Sequence, residues 1–152
     1  MPNRTNLEEE TMQIGSVMRT QLVTATPEET AADAIRKMLD AGIGSVVVCE
    51  DNRVVGIFTE RDVLRLAGAA ADLERAKLAQ AMTRDPLTIG VDDGILEAAT
   101  LMGDRRVRHL PVVQDGNLVG MVSIRDVLGF LAEKLYAEHD AAAAETARAL
   151  LG

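Results

Sequence analysis

Two short stretches of this 152-residue chain each pair a hydroxyl with a carboxylate three residues on. Thr59 precedes Asp62 in GIFTERDVL (residues 56–64), and Ser123 precedes Asp126 in GMVSIRDVL (120–128). A carboxylate so placed can accept hydrogen bonds from both vicinal hydroxyls of a ribose. The hydroxyl and nearby backbone N–H groups can meet a phosphate at a helix N-terminus. The same spacing is also a capping box, which satisfies the orphan N–H groups of a helix without any ligand. Both readings stand on the residues alone. Arg108 and His109, two basic residues just before the apolar run Leu110-Pro111-Val112-Val113, are the next candidates. The ordinary alternative is a structural or surface histidine, with Arg105, Arg106 and Arg108 on a solvated face. Exposed helical arginine likewise accounts for Arg61 and Arg125.

These stretches are two copies of one unit. A shift of 64 residues carries Thr59 onto Ser123 and Asp62 onto Asp126. Without any gap, it also carries Met18 onto Met82, Ala34 onto Ala98, Met38 onto Met102, Val48 onto Val112 and Asp51 onto Asp115. Chance matches scatter over many offsets, so the chain is an internal duplication. Arg108 and His109 fall on Gly44 and Ser45, which carry no charge.

The elements that position these residues follow from local signals. Residues 14–18 suit a short helical turn and 22–25 a short strand. Thr26-Pro27-Glu28-Glu29 has the marks of a helix start: Thr as N-cap, Pro at the first position, Glu three residues after the cap. Ala31, Ala34, Ile35, Met38 and Leu39 continue it at helical spacing, and Gly42 ends it. Residues 45–49 form an apolar strand, and Asp51-Asn52 turns it into a second strand over 54–58. Thr59 then opens a helix over 60–67. The unit is β-α-β-β-α. Residues 68–77 read as a linker into a short helix ending at Met82. The second copy predicts a strand over 87–89, a helix over 92–105, strands over 110–113 and 118–122 joined at Asp115-Gly116, and a helix from Ile124. Gly94 and Gly103 weaken its first helix by about 1 kcal/mol each relative to Ala. The domain reading is therefore a flexible acidic arm over 1–12, a first repeat over 13–67, the linker over 68–77, a second repeat over 78–131 and a helical tail over 132–152. The Ala-rich tail has no counterpart in the first copy. It suits packing on the body or pairing with another subunit.

Composition narrows the function. The net charge is −8 and aromatic residues number three, Phe58, Phe130 and Tyr136. Nucleic acid is thus not an expected partner, since neither a basic stripe nor a stacking surface is present. The first 15 residues contain Glu8, Glu9 and Glu10 and no apolar core of a signal peptide, and no apolar run reaches the roughly 18 residues of a membrane helix. A cytoplasmic protein without membrane contact is expected. The single Cys49 excludes an intramolecular disulfide within the chain. Neither a Gly-x-x-x-x-Gly-Lys-(Ser/Thr) phosphate loop nor a Gly-x-Ser-x-Gly elbow occurs. His109, His139 and Cys49 fall on three unrelated elements. No catalytic residue and no metal site are expected.

A β-α-β-β-α unit closing in Gly-h-h-(Thr/Ser)-x-x-Asp, twice in tandem, resembles the cystathionine-β-synthase (CBS) domain pair, or Bateman module. Met18-Arg19 and Met82-Thr83 fit the start of each repeat. Residues 43–48 and 107–113 fit its central strand, and the resemblance covers about residues 12–131. It implies an α/β (α+β) fold with the repeats packed about a pseudo-twofold axis, here with an extra C-terminal helix. It also implies two clefts that, in many members, hold adenine nucleotides or related adenosyl compounds. In such clefts Thr59, Asp62, Ser123 and Asp126 would hold ribose and phosphate, with Arg108 and His109 at the phosphates. Leu22, Val23, Ile43 and Val46, with Leu87, Val107 and Leu110, would form the adenine walls; their ordinary reading is core.

The expectation is a regulatory sensor that requires no cofactor, binds AMP, ADP or ATP, forms a homodimer and signals to a protein partner. S-adenosylmethionine and NAD, which share the adenosine handle, are the runner-up ligands. The alternative is a ligand-free interaction module working through its dimer faces and tail helix.

Overall fold

The apolar run at residues 45–49 becomes the centre of a sheet. In the computed structural model, which describes residues 12–151, the first sheet has the order β1 (Thr24–Ala25), β2 (Ser45–Glu50), β3 (Arg53–Thr59), β4 (Thr83–Arg84). The second has β5 (Ile89–Gly90), β6 (His109–Gln114) and β7 (Asn117–Ser123). The helices are α1 (Ala31–Ala41), α2 (Glu60–Gly68), α3 (Leu78–Ala81), α4 (Ile95–Arg105) and α5 (Ile124–Leu151), preceded by a 3-10 turn at Ile14–Ser16. The expected arm over residues 1–12 lies, but for its last residue, outside the described residues.

Both hairpins are set by their turn residues. Asp51 and Asn52 take φ of 47° and 63°, and Asp115 and Gly116 take 51° and 79°, the left-handed pair that matches strand twist in a two-residue loop. Each hairpin then carries a bulge at the same place in the repeat, after Val48 and after Val112. Just past each bulge a glycine lets another segment approach. A Cβ on Gly120 would lie 2.5 Å from Met18 Sδ and 3.1 Å from the Arg19 carbonyl oxygen; one on Gly56 would meet Met82 and lie 3.0 Å from the Thr83 carbonyl oxygen. Gly56→Ala and Gly120→Ala should each cost about 1–3 kcal/mol by overpacking. Urea denaturation checks this, and unchanged midpoints would show that the methionines simply move aside.

Those approaching segments belong to the other repeat. Arg19 bridges Met121 of β7, and Thr83 and Arg84 pair with Ile57 and Gly56 of β3. Ile14, at the start of the first copy, is fully buried in the core with Ile89, Ile95, Leu110, Val112, Val122 and Val127. Its counterpart Leu78 is fully buried in the first core with Ala34, Val46, Val48 and Phe58. The two halves are thus cross-strapped, each lead-in segment completing its partner's core. β4 carries no strand pattern in sequence because its two residues are exposed and are held by backbone pairing.

The same crossing moves both first helices from where local signals put them. The helix expected from Thr26 begins at Ala31, and the one expected from Asp92 begins at Ile95. Thr26 to Glu29 forms a turn instead: the Glu29 carboxylate accepts the Thr26 N–H at 2.6 Å. Four residues on, Thr30 and Asp33 make the capping box, at 3.0 and 3.2 Å. The later cap prevails because the next two N–H groups find acceptors in the linker, Ala31 to the Ala76 carbonyl at 2.8 Å and Ala32 to that of Leu73 at 3.0 Å. In the second half Asp93 accepts the Gly90 N–H at 2.7 Å, and the Ile95 N–H donates to the Met12 carbonyl at 2.8 Å. The second-copy strand expected over 87–89 is correspondingly displaced to Ile89–Gly90, where it pairs with Val112 and Val113. Glu29 is also bound by Lys37 at 2.6 Å. Burial raises its pKa, but Lys37 and the Thr26 N–H outweigh this and leave it below the ordinary value.

Candidate ligand cleft

The cleft is built where β2 of one half faces the start of α5 in the other. Strand alternation sorts the wall: Ser45 and Val47 line the cleft, whereas Val46 and Val48 point into the first core with no exposed surface. Leu22 and Val23 of the lead-in segment, Ile35 and Met38 of α1, and Ile43 add apolar wall. Gly42, in the left-handed conformation at φ 64°, ends α1 and turns the chain into Ile43. The second half contributes Arg108, His109, Ser123, Arg125 and Asp126. The open cleft has a volume of about 610 Å³, within the range of small-molecule sites.

At the polar end Ser123 and Asp126 form a complete capping box. Asp126 Oδ2 accepts the Ser123 N–H and hydroxyl at 2.9 Å each, and Ser123 Oγ accepts the Asp126 N–H at 3.2 Å. Asp126 Oδ1 pairs with Arg19 Nε at 3.2 Å, across the halves. The Ile124 N–H donates to the Arg108 carbonyl at 2.9 Å, tying the α5 N-terminus to the start of β6. Arg19, Arg108 and Arg125 therefore share the cleft with the carboxylates of Glu60 and Asp126.

His109 and Glu60 both flank Gly44. A Cβ at Gly44 would lie 3.2 Å from Glu60 Oε1 and 3.4 Å from His109 Cε1, so a larger residue there would intrude on both. Burial pushes the His109 pKa below its ordinary 6.5; Glu60 and Asp126 oppose this, while Arg108 and Arg19 add to it. The unfolded chain therefore takes up this proton at a higher pH than the folded one. Stability should fall as the pH drops from 6.5 through the depressed folded value. His109→Gln should flatten that limb, which thermal melts of both proteins across the range would reveal. Parallel curves would show that His109 is solvated as in a peptide.

The first-copy motif is arranged otherwise. Asp62 is 6% exposed; its Oδ2 accepts the Thr59 N–H at 2.9 Å and lies 3.3 Å from the Thr59 hydroxyl. Its Oδ1 is held by Arg65 at 3.3 Å, and Arg65 donates to the Ala81 carbonyl at 2.8 Å as well. Neither Thr59 nor Asp62 lines the cleft around Asp126. Leu87 and Val107 are partly buried against the second core, and Leu110 is fully buried within it. Of the expected wall, Val23 and Ile43 with Leu22 thus join Asp126, while Val46 and Leu110 are core. Arg19 and Glu60 were missed by sequence reasoning. Arg19 had a signal, since its counterpart Thr83 is uncharged, the same asymmetry that marks Arg108 and His109. Among the described residues no group of His, Cys, Asp and Glu could hold a metal ion, and no helix is long and apolar enough to cross a membrane.

The sequence profile of the CBS domain matches this chain twice, over residues 14–68 and 78–133. The chain is a member of the CBS-domain family. As a tandem CBS pair it is similar to an uncharacterised protein of Methanopyrus kandleri, 36% identical over 118 residues that make up 76% of this chain and 60% of that one. A mitochondrial CBS domain-containing protein of Arabidopsis thaliana is 36% identical over 68% of this chain and 53% of its own length. The pair thus spans little more than half of these two relatives. Among solved structures, the CBS domain protein of Pyrobaculum aerophilum in complex with AMP is 26% identical, with a TM-score of 0.71 over 75% of this chain and 88% of that one. The described residues form a mixed α+β fold of two small sheets and their helices, like that of these CBS-domain structures, with a long C-terminal helix.

Proposed function

We propose that this CBS pair is a regulatory sensor that binds an adenosine-containing nucleotide, AMP, ADP or ATP, in the cleft around Asp126. The observation that carries the reading is the juxtaposition of an apolar wall at Leu22, Val23 and Ile43 with the Ser123–Asp126 capping box and three arginines. An adenine suits the wall and a ribose diol the carboxylate. The phosphates suit Arg108, Arg125 and the N–H groups opening α5. The AMP complex of the Pyrobaculum relative supports the choice of ligand class. Because the cleft is assembled from both halves, a ligand favouring one arrangement of them shifts their relation and the surface shown to a partner.

Calorimetry on nucleotide-stripped protein against AMP, ADP, ATP, S-adenosylmethionine and NAD tests this. Saturable heat with an adenine nucleotide, one equivalent per chain, is the expected result. Silence across the set on folded protein would favour the second reading, an interaction module. That reading draws on Leu64 and Leu128, equivalent in the repeat and 74% and 58% exposed, and on Leu135 and Tyr136, exposed on the extension of α5. These apolar faces suit a homodimer. Truncation after Leu135 should turn a dimer into a monomer in solution if the tail holds the subunits together, and an unchanged number of subunits would dismiss that role.

A further inference from the structure

We propose that Arg19 is a latch on Asp126 and that, by leaving it for a phosphate, it sets the cleft's preference for phosphorylated over uncharged adenosine ligands. The inference rests on the cleft being a nucleotide site. It follows from counting acceptor sites. A carboxylate offers about four lone-pair positions, two on each oxygen. Oδ2 of Asp126 spends both of its own on the Ser123 N–H and hydroxyl. Oδ1 gives one to Arg19 Nε, leaving a single position for a ribose diol that brings two donors. A bidentate ribose therefore requires Arg19 to withdraw.

Arg19 is able to do so. Its side chain is 53% exposed against 13% for Asp126, so the guanidinium can be rehydrated as it swings away. Its backbone is not free to follow. The Arg19 N–H donates to the Met121 carbonyl at 2.8 Å, and the Met121 N–H to the Arg19 carbonyl at 3.0 Å. A guanidinium released from a fixed backbone stays within the cleft, beside Arg108 and Arg125, where a phosphate can receive it. The first half has no such device. There the matching carboxylate oxygen is held by Arg65, a residue of its own helix that is anchored again on the Ala81 carbonyl. Thr83 stands where Arg19 would be, and Gly129 where Arg65 would be. The latch is also a bond between halves, so the ligand that releases it removes one of the ties fixing their relation.

Titration of the full chain and of Arg19→Ala with adenosine and with AMP tests the latch, because it predicts changes of opposite sign. Adenosine should bind the variant about two- to fivefold more tightly, since an exposed ion pair no longer competes. AMP should bind about tenfold more weakly, having lost a charge-assisted contact. Arg19→Lys should recover part of the AMP preference. Binding by the wild-type chain with both ligands shifted alike, or neither shifted, overturns the latch and leaves the nucleotide reading intact. Absence of binding in both proteins overturns the nucleotide reading and the latch with it. Adenosine binding that appears only in Arg19→Ala supports both.

Discussion

Asp126→Ala should lower the affinity of the cleft for AMP by about a hundredfold. A ribose diol donates two hydrogen bonds to an ionised carboxylate, each worth about 1.5–3 kcal/mol. Losing both removes about 3 kcal/mol or more, and every 1.4 kcal/mol is roughly a factor of ten in affinity. Asp126→Asn keeps one acceptor oxygen but not the charge, and should fall between the two. The cap is lost as well, at about 0.5–2 kcal/mol of stability, so titrations belong well below the melting transition. Asp62→Ala is the informative control. Its carboxylate is nearly buried, engaged by Arg65 and Thr59, and absent from the Asp126 cleft. Removing it should leave AMP affinity in that cleft unchanged while lowering the melting temperature, because the Thr59 N–H and Arg65 lose an acceptor. Equal affinity losses in both variants would refute the assignment of the ribose to Asp126 alone.

Ile14→Ala should cost about 2–5 kcal/mol, as expected for a large aliphatic side chain removed from a packed core. More telling is where the damage should appear. Ile14 opens the first copy in sequence, yet it is fully buried among β5, α4, β6, β7 and α5 of the second. Hydrogen exchange should therefore accelerate in the second half, at Leu110 to Val113 and Leu118 to Val122, more than in the first. Leu78→Ala, which empties the matching place in the first core, should do the reverse. Uniform acceleration in both variants would mean that the halves unfold as one unit and that the strap carries no local stability of its own.

Local signals were sufficient wherever the residues supplying the stabilisation are neighbours in the chain. The Asp51-Asn52 and Asp115-Gly116 turns need only residues that accept positive φ. The Ser123–Asp126 capping box closes within four residues, and Gly42 ends α1 by its own conformation. They failed where two local solutions compete. Thr26 and Thr30 each offer a helix start with an acid three residues on. The choice fell to the carbonyls of Leu73 and Ala76, more than forty residues downstream, and no window around Thr26 contains that information. β2 reads in sequence as a continuous apolar run, which does not say which face would meet a cleft. Val46 and Val47 are equally apolar, and only packing sends Val47 to the cleft wall and Val46 to the core.

The sequence by itself determined the duplication, the β-α-β-β-α unit, the family and the two hydroxyl–carboxylate motifs, because each rests on residue types at short or fixed separations. Only the tertiary structure decided which motif faces which wall. The lead-in segments cross between the halves, so that Val23 and Ile43 of the first copy meet Asp126 of the second rather than Asp62 of their own. That crossing is held by buried Ile14 and Leu78 and by backbone hydrogen bonds to Met121, Gly56 and Ile57. Burial and backbone pairing act between residues far apart in sequence, and a repeat pattern that is the same in both copies cannot say which partner each will choose.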